Sequence, residues 1–230
     1  MEKQSIALDG PAGAGKSTMA KMAAKHFALI YVDTGALYRC VGLYTRRKGV
    51  GSRDPEGVSA LLPEIQLEMI YDDMGVQRMV LNGEDVTDDI RSPEVSVYAS
   101  DVSAMPPVRD FLLSMQREMA AKYDVIMDGR DIGTVVLPGA GLKVFLTAEP
   151  EVRAKRRYME LLEKNVDTTY EQVFGDMVTR DKNDSERAAA PLKAAEDSII
   201  LDTTRLDLNE SFKRLCEIIE RNLAVRERLI

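Results

Sequence analysis

An α/β fold built on a parallel sheet is predicted by three features of this 230-residue chain. Apolar runs at Ser5 to Leu8, Leu29 to Val32, Val125 to Met127, Leu142 to Leu146 and Ser198 to Leu201 have the length and continuous hydrophobicity of strands buried on both faces. Segments of helical period separate them. The first run leads directly into Gly10-Pro-Ala-Gly-Ala-Gly-Lys-Ser17, which fits the pattern G-x-x-x-x-G-K-[ST].

Each element can be justified in turn. After the first strand, glycines let the backbone curl so that N–H groups point inward at anionic oxygens, and a helix starting near Lys16 adds its positive dipole end. The amphipathic stretch Thr18 to Phe27 is that helix. Lys16 is then placed to reach β- and γ-phosphates, and the Ser17 hydroxyl to ligate Mg²⁺. The second strand opens into Asp33-Thr-Gly-Ala-Leu-Tyr-Arg39 and a helix over Ala36 to Arg47. Here Asp33 or Thr34 suits either a helix cap or a ligand, and Arg39 either solvent or an anion. From Gly49 to Met105 the pattern changes. Ile65, Leu67, Met69 and Tyr71 alternate with polar residues, Asp72-Asp-Met-Gly75 can turn, and Gln77 to Leu81 leads to the hairpin dipeptide Asn82-Gly83. A small antiparallel insert is expected there.

Pro106-Pro107 suits the entry to a helix over Val108 to Lys122. The strand that follows ends Val125-Ile-Met-Asp128, placing a carboxylate where it could orient Mg²⁺ or its waters beside the glycine-rich loop. Its continuation to Asp131 brings Arg130 and a second acceptor to the carboxyl end of a strand, where open parallel sheets bind ligands. Beyond the fourth strand, Pro150 to Glu163 reads as a helix with Arg153, Arg156 and Arg157 on one face. Helices over Tyr170 to Lys182 and Asn209 to Val225 flank the last strand. Arg180 and Arg187 lie two turns apart with Asp184 between them. Solvated charged faces are the ordinary alternative for such clusters.

Composition narrows the functional classes. The chain is 45% hydrophobic and 30% charged, with a formal net charge of −7, which argues against a general nucleic-acid binder. No apolar run approaches a membrane span, and Met1-Glu-Lys-Gln leads into a short run broken by Asp9, so a cytoplasmic protein is expected. Cys40 and Cys216 are too few for a disulfide framework, and the single histidine, His26, makes transition-metal and histidine-based nucleophilic chemistry poor choices. An anionic substrate needs locally concentrated arginines, and several gather downstream of the third strand. That surplus fits two anions clamped end to end, since guanidinium groups screen facing phosphates better than lysines do.

Together Gly10 to Ser17, Asp33 to Arg39, Asp128-Gly-Arg-Asp-Ile-Gly-Thr134, and Arg180-Asp-x-x-Asp-x-x-Arg187 followed by Ala-Pro-Leu192, the chain resembles the bacterial cytidylate kinases, in order from about residue 3 to residue 225. The resemblance implies a P-loop NTPase-type three-layer α/β fold with a central five-stranded parallel sheet. It also implies one kinase domain over residues 1–230, with a monophosphate-binding insert at 49–105 and a short helical lid at 149–166. The implied reaction moves the γ-phosphoryl group of ATP to CMP or dCMP, giving ADP and CDP or dCDP, with Mg²⁺. On this reading Gly10, Pro11, Ala12, Gly13, Ala14, Gly15, Lys16, Ser17 and Thr18 hold ATP, and Ser17 ligates Mg²⁺ with Asp128 acting through water. The catalytic set is Lys16, Asp128, Arg130 and the lid arginines Arg153 and Arg157. Arg39, Arg130 and Arg180, with Thr34 nearby, hold the acceptor's phosphate, while Ser100, Arg109, Asp131 and Arg187 face cytosine and Asp184 faces the sugar hydroxyls.

The base assignment is chemically consistent, because cytosine presents an N4 donor beside N3 and O2 acceptors. Asp131 and Ser100 can accept, and Arg109 and Arg187 can donate. Uracil reverses the pattern at positions 3 and 4, leaving buried groups unpaired. The implied partners are small molecules, with a monomeric chain and neither nucleic acid nor membrane. A kinase of the same architecture acting on UMP or shikimate is the alternative. A regulatory nucleotide-binding switch is more remote, since its guanine-reading Asn-Lys-x-Asp signature is absent.

Overall fold

The computed structural model describes residues 3–73, 75–163 and 165–223. In chain order the elements are β1 (Ser5–Asp9), α1 (Lys16–Phe27), β2 (Ile30–Asp33), α2 (Thr34–Arg47), α3 (Pro55–Leu61), β3 (Leu67–Tyr71), β4 (Gln77–Leu81), β5 (Glu84–Asp85), α4 (Pro93–Val102), α5 (Pro106–Lys122), β6 (Val125–Gly129), β7 (Leu142–Thr147), α6 (Pro150–Glu163), α7 (Tyr170–Glu186), β8 (Ile199–Asp202) and α8 (Leu208–Asn222). They divide into two compact units, one made of Met1–Tyr31 with Tyr123–Ile230 and the other of Val32–Lys122.

All the apolar runs predicted to be strands are strands, and they form one five-stranded sheet of order β2-β6-β1-β7-β8. β1 lies parallel to both β6 and β7, and β7 parallel to β8. Register matters for function here. Leu8 pairs with Asp128 and Asp9 with Gly129, so β1 and β6 end side by side and the loops leaving them are neighbours. The first unit's core joins Ile6, Leu8, Ile126, Val144, Leu146 and Leu201 of the sheet to Met19, Ala20, Ala23 and Ala24 of α1 and Leu215 and Ile219 of α8. Alanines on the buried face of α1 bring its axis close to the strands, which holds the glycine-rich loop at the carboxyl end of the central strand β1.

The second unit has its own core, drawn from Leu37, Cys40 and Val41 of α2, Val95 and Val102 of α4, and Val108 and Leu112 of α5, among others. Gly42 allows α2 and α4 to touch, because a Cβ there would lie 2.9 Å from the Ala99 nitrogen. The expected antiparallel strands are present as β3-β4-β5. The Asn82-Gly83 turn has φ values of 51° and 83°, the pair of positive angles a tight two-residue hairpin requires.

The insert is more than a sheet, and here the sequence reading of residues 49–105 was incomplete. α3 and α4 lie within it, started by Asp54 and Ser92, whose side chains accept from Gly57 N and Val95 N, with proline at the next position in each case. Elsewhere the helices differ from expectation at their ends. α7 starts from a Thr169/Gln172 capping box and continues past Lys182 to Glu186, and α8 starts from an Asp207/Glu210 box. The predicted extension of the last helix to Val225 lies outside the described residues, as do Met74 of the predicted turn and Lys164 of the predicted lid segment.

Candidate active site

The loop from Gly10 to Ser17 forms the cradle its spacing predicts. Gly10 has φ 148°, and a Cβ there would run into the Leu146 carbonyl oxygen, so only glycine allows the loop to leave β1 at this angle. Gly15, at φ 89°, precedes α1, which has no side-chain cap and no acidic residue in its first turn. Its first N–H groups and the positive end of its dipole therefore face the loop. Lys16 is 6% exposed, and its Nζ donates to the Pro11 carbonyl at 2.7 Å. Burial pulls its pKa well below the ordinary lysine value, and the Arg130 and Arg180 charges pull the same way, against Asp128 and Asp9.

Asp128, the last residue but one of β6, reaches this loop. Ser17 Oγ donates to its Oδ2 at 2.7 Å and the Tyr31 hydroxyl to its Oδ1 at 3.2 Å. A hydroxyl and a carboxylate in contact are hard oxygen donors of the kind Mg²⁺ prefers, so this pair fits a magnesium ion bound mainly through substrate oxygens and water. Asp9, at the end of β1, accepts from the backbone N–H groups of Ile132 and Gly133 at 2.8 and 2.7 Å.

Beyond β6 the same unit gathers a cluster of buried opposite charges. Arg130 Nε donates to Asp184 Oδ2 at 2.9 Å, and Arg187 contacts Asp131 at 3.4 Å and Asp184 at 4.0 Å. Arg187 is further fixed by donating from Nε to the Ala190 carbonyl at 2.7 Å. Burial pushes the Asp184 carboxyl upward, but Arg130, Arg180 and Arg187 outweigh it and leave its pKa below the usual value. Arg180 acts on both Lys16 and Asp184, so the cradle and the arginine cluster share one electrostatic environment.

The three arginines of α6 do not act as one face. Arg153 is 3% exposed, donates to the Ala148 and Ala12 carbonyls at 2.8 Å each, and pairs with Asp181 at 2.7 Å. Its grip on Ala12 ties α6 to the cradle. Arg156 instead holds Thr203 and the Leu206 carbonyl, while Arg157 is more exposed and pairs with Glu160 one turn on.

In the second unit Asp33 is a helix cap, one of the two readings its sequence left open, and it also anchors two arginines. Its side chain accepts from Ala36 N at 3.0 Å and pairs with Arg91 at 3.0 Å and Arg39 at 3.6 Å. Burial alone would raise its pKa, but those two guanidinium groups and the hydrogen bonds hold it lower. Gln77 of β4 fixes the same residue's backbone, accepting from Asp33 N at 2.8 Å. Thr34 is buried in the first turn of α2, and Arg109 lies over the Tyr38 ring at 5.7 Å while donating to the Ser103 carbonyl. Ser103 in turn donates to the carbonyl of Ser100, in the last turns of α4.

Sequence reasoning missed Asp9, Tyr31, Gln77, Arg91 and Asp181. Asp9 stood out only as a polar residue breaking an apolar run, and Arg91 not at all. Neither belongs to a motif, and each finds its partner through tertiary structure.

The comparisons agree with this arrangement. The family model described as cytidylate kinase matches residues 6–221. The chain is 48% identical over 220 residues to a cytidylate kinase of Caldicellulosiruptor bescii, covering 95% of this chain and 96% of that protein. It is 46% identical over 215 residues to a cytidylate kinase of Thermosipho melanesiensis, covering 94% and 96%. Among solved structures, an uncharacterized protein from Eubacterium ventriosum superposes with a TM-score of 0.51 at 13% identity, covering 96% of this chain and 99% of that one, a likeness of fold alone. The fold class is the expected three-layer α/β arrangement on a five-stranded sheet.

Proposed function

The chain belongs to the cytidylate kinase family, and on that premise we propose that it transfers the γ-phosphoryl group of ATP to CMP or dCMP, giving ADP and CDP or dCDP. The observation that carries this reading is the adjacency of cradle and arginine cluster: Ser17 Oγ donates to Asp128 at 2.7 Å, two residues before Arg130, whose Nε holds Asp184 at 2.9 Å beside Arg187. A phosphate-binding loop alone would serve any NTPase. A loop that shares its field with several guanidinium groups is suited to a second anion placed against the first.

The chemistry asks for positioning and charge stabilisation more than for covalent help. An oxygen of the acceptor's phosphate attacks the γ-phosphorus, and the bond from that phosphorus to the β–γ bridging oxygen breaks. The attacking oxygen is already anionic, so no general base is needed. Lys16, together with the loop N–H groups, balances charge on the transferring and leaving phosphates, and Arg130 and Arg180 screen the approach of the acceptor. Ser17 and Asp128 would hold Mg²⁺, which supplies further neutralisation of phosphate charge when bound.

On the acceptor side Arg39, Arg130, Arg180 and Thr34 bind the phosphate. Ser100, Arg109, Asp131 and Arg187 read the base, and Asp184 takes the sugar hydroxyls. Residues 49–105 serve as the monophosphate-binding insert and 149–166 as the lid within a single kinase domain. Arg157, more exposed and paired only with Glu160 among the contacts described above, is the lid arginine that turns to phosphate, and Arg153 braces the cradle through the Ala12 carbonyl. The protein works as a cytoplasmic monomer on small molecules. Among the described residues no helix is long and apolar enough to cross a membrane.

Coupled release of ADP with CMP, dCMP, UMP, AMP and shikimate offered in turn tests the proposal. Stimulation by cytidine nucleotides well above the rest is expected. A preference for UMP or shikimate, or ATP consumption that no pyrimidine monophosphate increases, overturns it.

A further inference from the structure

Asp9 joins two loops with different tasks. It is the last residue of β1, directly before Gly10 of the cradle, and its carboxylate is 5% exposed. Its two oxygens accept from the two consecutive N–H groups that follow Asp131, those of Ile132 and Gly133. Only an ionised carboxylate offers both oxygens as acceptors to both donors. An amide of the same shape would turn its NH₂ toward one of the N–H groups. The loop is also pressed close at this point, since a Cβ on Gly133 would lie 3.4 Å from Asp9 Oδ2 and 3.1 Å from the Lys143 Cδ.

A buried carboxylate is an expensive tether. Burial raises the Asp9 pKa to about 6 despite the two backbone N–H groups. The negative charge of Asp131 pushes it further up, and Lys16 opposes. The cost falls where the phosphate loop and the Asp131 loop meet.

We propose that Asp9 is a positioning residue that sets the orientation of the Asp131 loop against the phosphate cradle, and so controls discrimination between cytosine and uracil acceptors. This rests on the reading of Asp131 as a base-contacting residue. Asp9 itself touches neither nucleotide. Its effect passes through the backbone of Ile132 and Gly133 to the side chain that precedes them.

The test compares wild type, Asp9→Asn and Asp131→Ala by kcat/KM for CMP and for UMP, with KM for ATP measured alongside. Losing one charge-assisted hydrogen bond to the loop should lower the CMP/UMP ratio of Asp9→Asn by roughly 10- to 100-fold, with KM for ATP changing less than about threefold. If Asp131→Ala leaves the ratio unchanged, the reading of Asp131 fails, and the proposal with it. If Asp131→Ala lowers the ratio and a folded Asp9→Asn does not, the tether is structural only and the proposal alone is overturned. Should circular dichroism show that Asp9→Asn does not fold, the decision passes to the wild type. Asp131, Lys16 and Lys143 are the charged groups near Asp9 and its loop. As Asp9 takes up a proton between pH 7 and about 5.5, the CMP/UMP ratio should fall, and a flat ratio overturns the proposal. Taking the ratio cancels the phosphate titration shared by both acceptors.

Discussion

Arg187 illustrates how one side chain can tie several segments together. Its guanidinium bridges Asp131 and Asp184 and is anchored on the Ala190 carbonyl. Arg187→Met should reduce kcat/KM for CMP by about 10²- to 10³-fold, the usual loss for one placed donor, while KM for ATP stays within about threefold. Steady-state kinetics with each substrate varied in turn check this, and equal losses for both would remove Arg187 from the acceptor site. Asp131→Ala should chiefly relax rejection of uracil, read as the CMP/UMP ratio. Ser17→Ala removes the hydroxyl that touches Asp128. It should raise the Mg²⁺ concentration needed for half-maximal activity by at least about tenfold, measured by titrating Mg²⁺ at fixed ATP. The residues in motifs were legible because loop chemistry demands particular types at fixed spacing. Asp9 and Arg91 were not, because nothing local links Asp9 to Gly133 or Arg91 to Asp33, and their partners lie 124 and 58 positions away.

Among the elements, legibility followed burial. The central strands β1 and β6 read clearly because both their faces are covered, so the residues before Asp9 and Asp128 are mostly apolar. α3 and α4 span only 7 and 10 residues, too few turns for a helical period to stand out from the alternation beside them. Their start signals were nonetheless present as Asp54-Pro55 and Ser92-Pro93, a cap followed by proline. Asp54→Ala and Ser92→Ala should each cost about 1 kcal/mol in urea denaturation, since each removes the acceptor for an orphan N–H. The hairpin makes a stronger demand. Gly83→Val at φ 83° should cost about 1–2 kcal/mol, and an unchanged urea midpoint would contradict the turn geometry.

For the whole molecule, buried carboxylates set opposing pH trends. Asp9 titrates near 6 when folded and near 3.8 when unfolded, so its contribution to stability is fullest below about pH 4 and is lost as pH rises through 6. At neutral pH that loss is about 3 kcal/mol. Asp33 and Asp184 shift the other way, so their contribution is present above the unfolded carboxylate range and is lost as pH falls through it. Stability measured by urea midpoint should therefore peak near pH 4 and decline toward about pH 6, and Asp9→Asn should flatten that decline. A wild-type midpoint that climbs steadily from pH 4 to 8 would contradict the Asp9 assignment. The Lys16 ammonium resting on the Pro11 carbonyl has a further consequence. Buried, and crowded by the Arg130 and Arg180 charges, it holds its proton loosely until polyphosphate arrives. Nucleotide capture in alkaline solution must then draw protons from the buffer, and calorimetric heats recorded in buffers of unequal ionisation enthalpy will diverge as alkalinity increases.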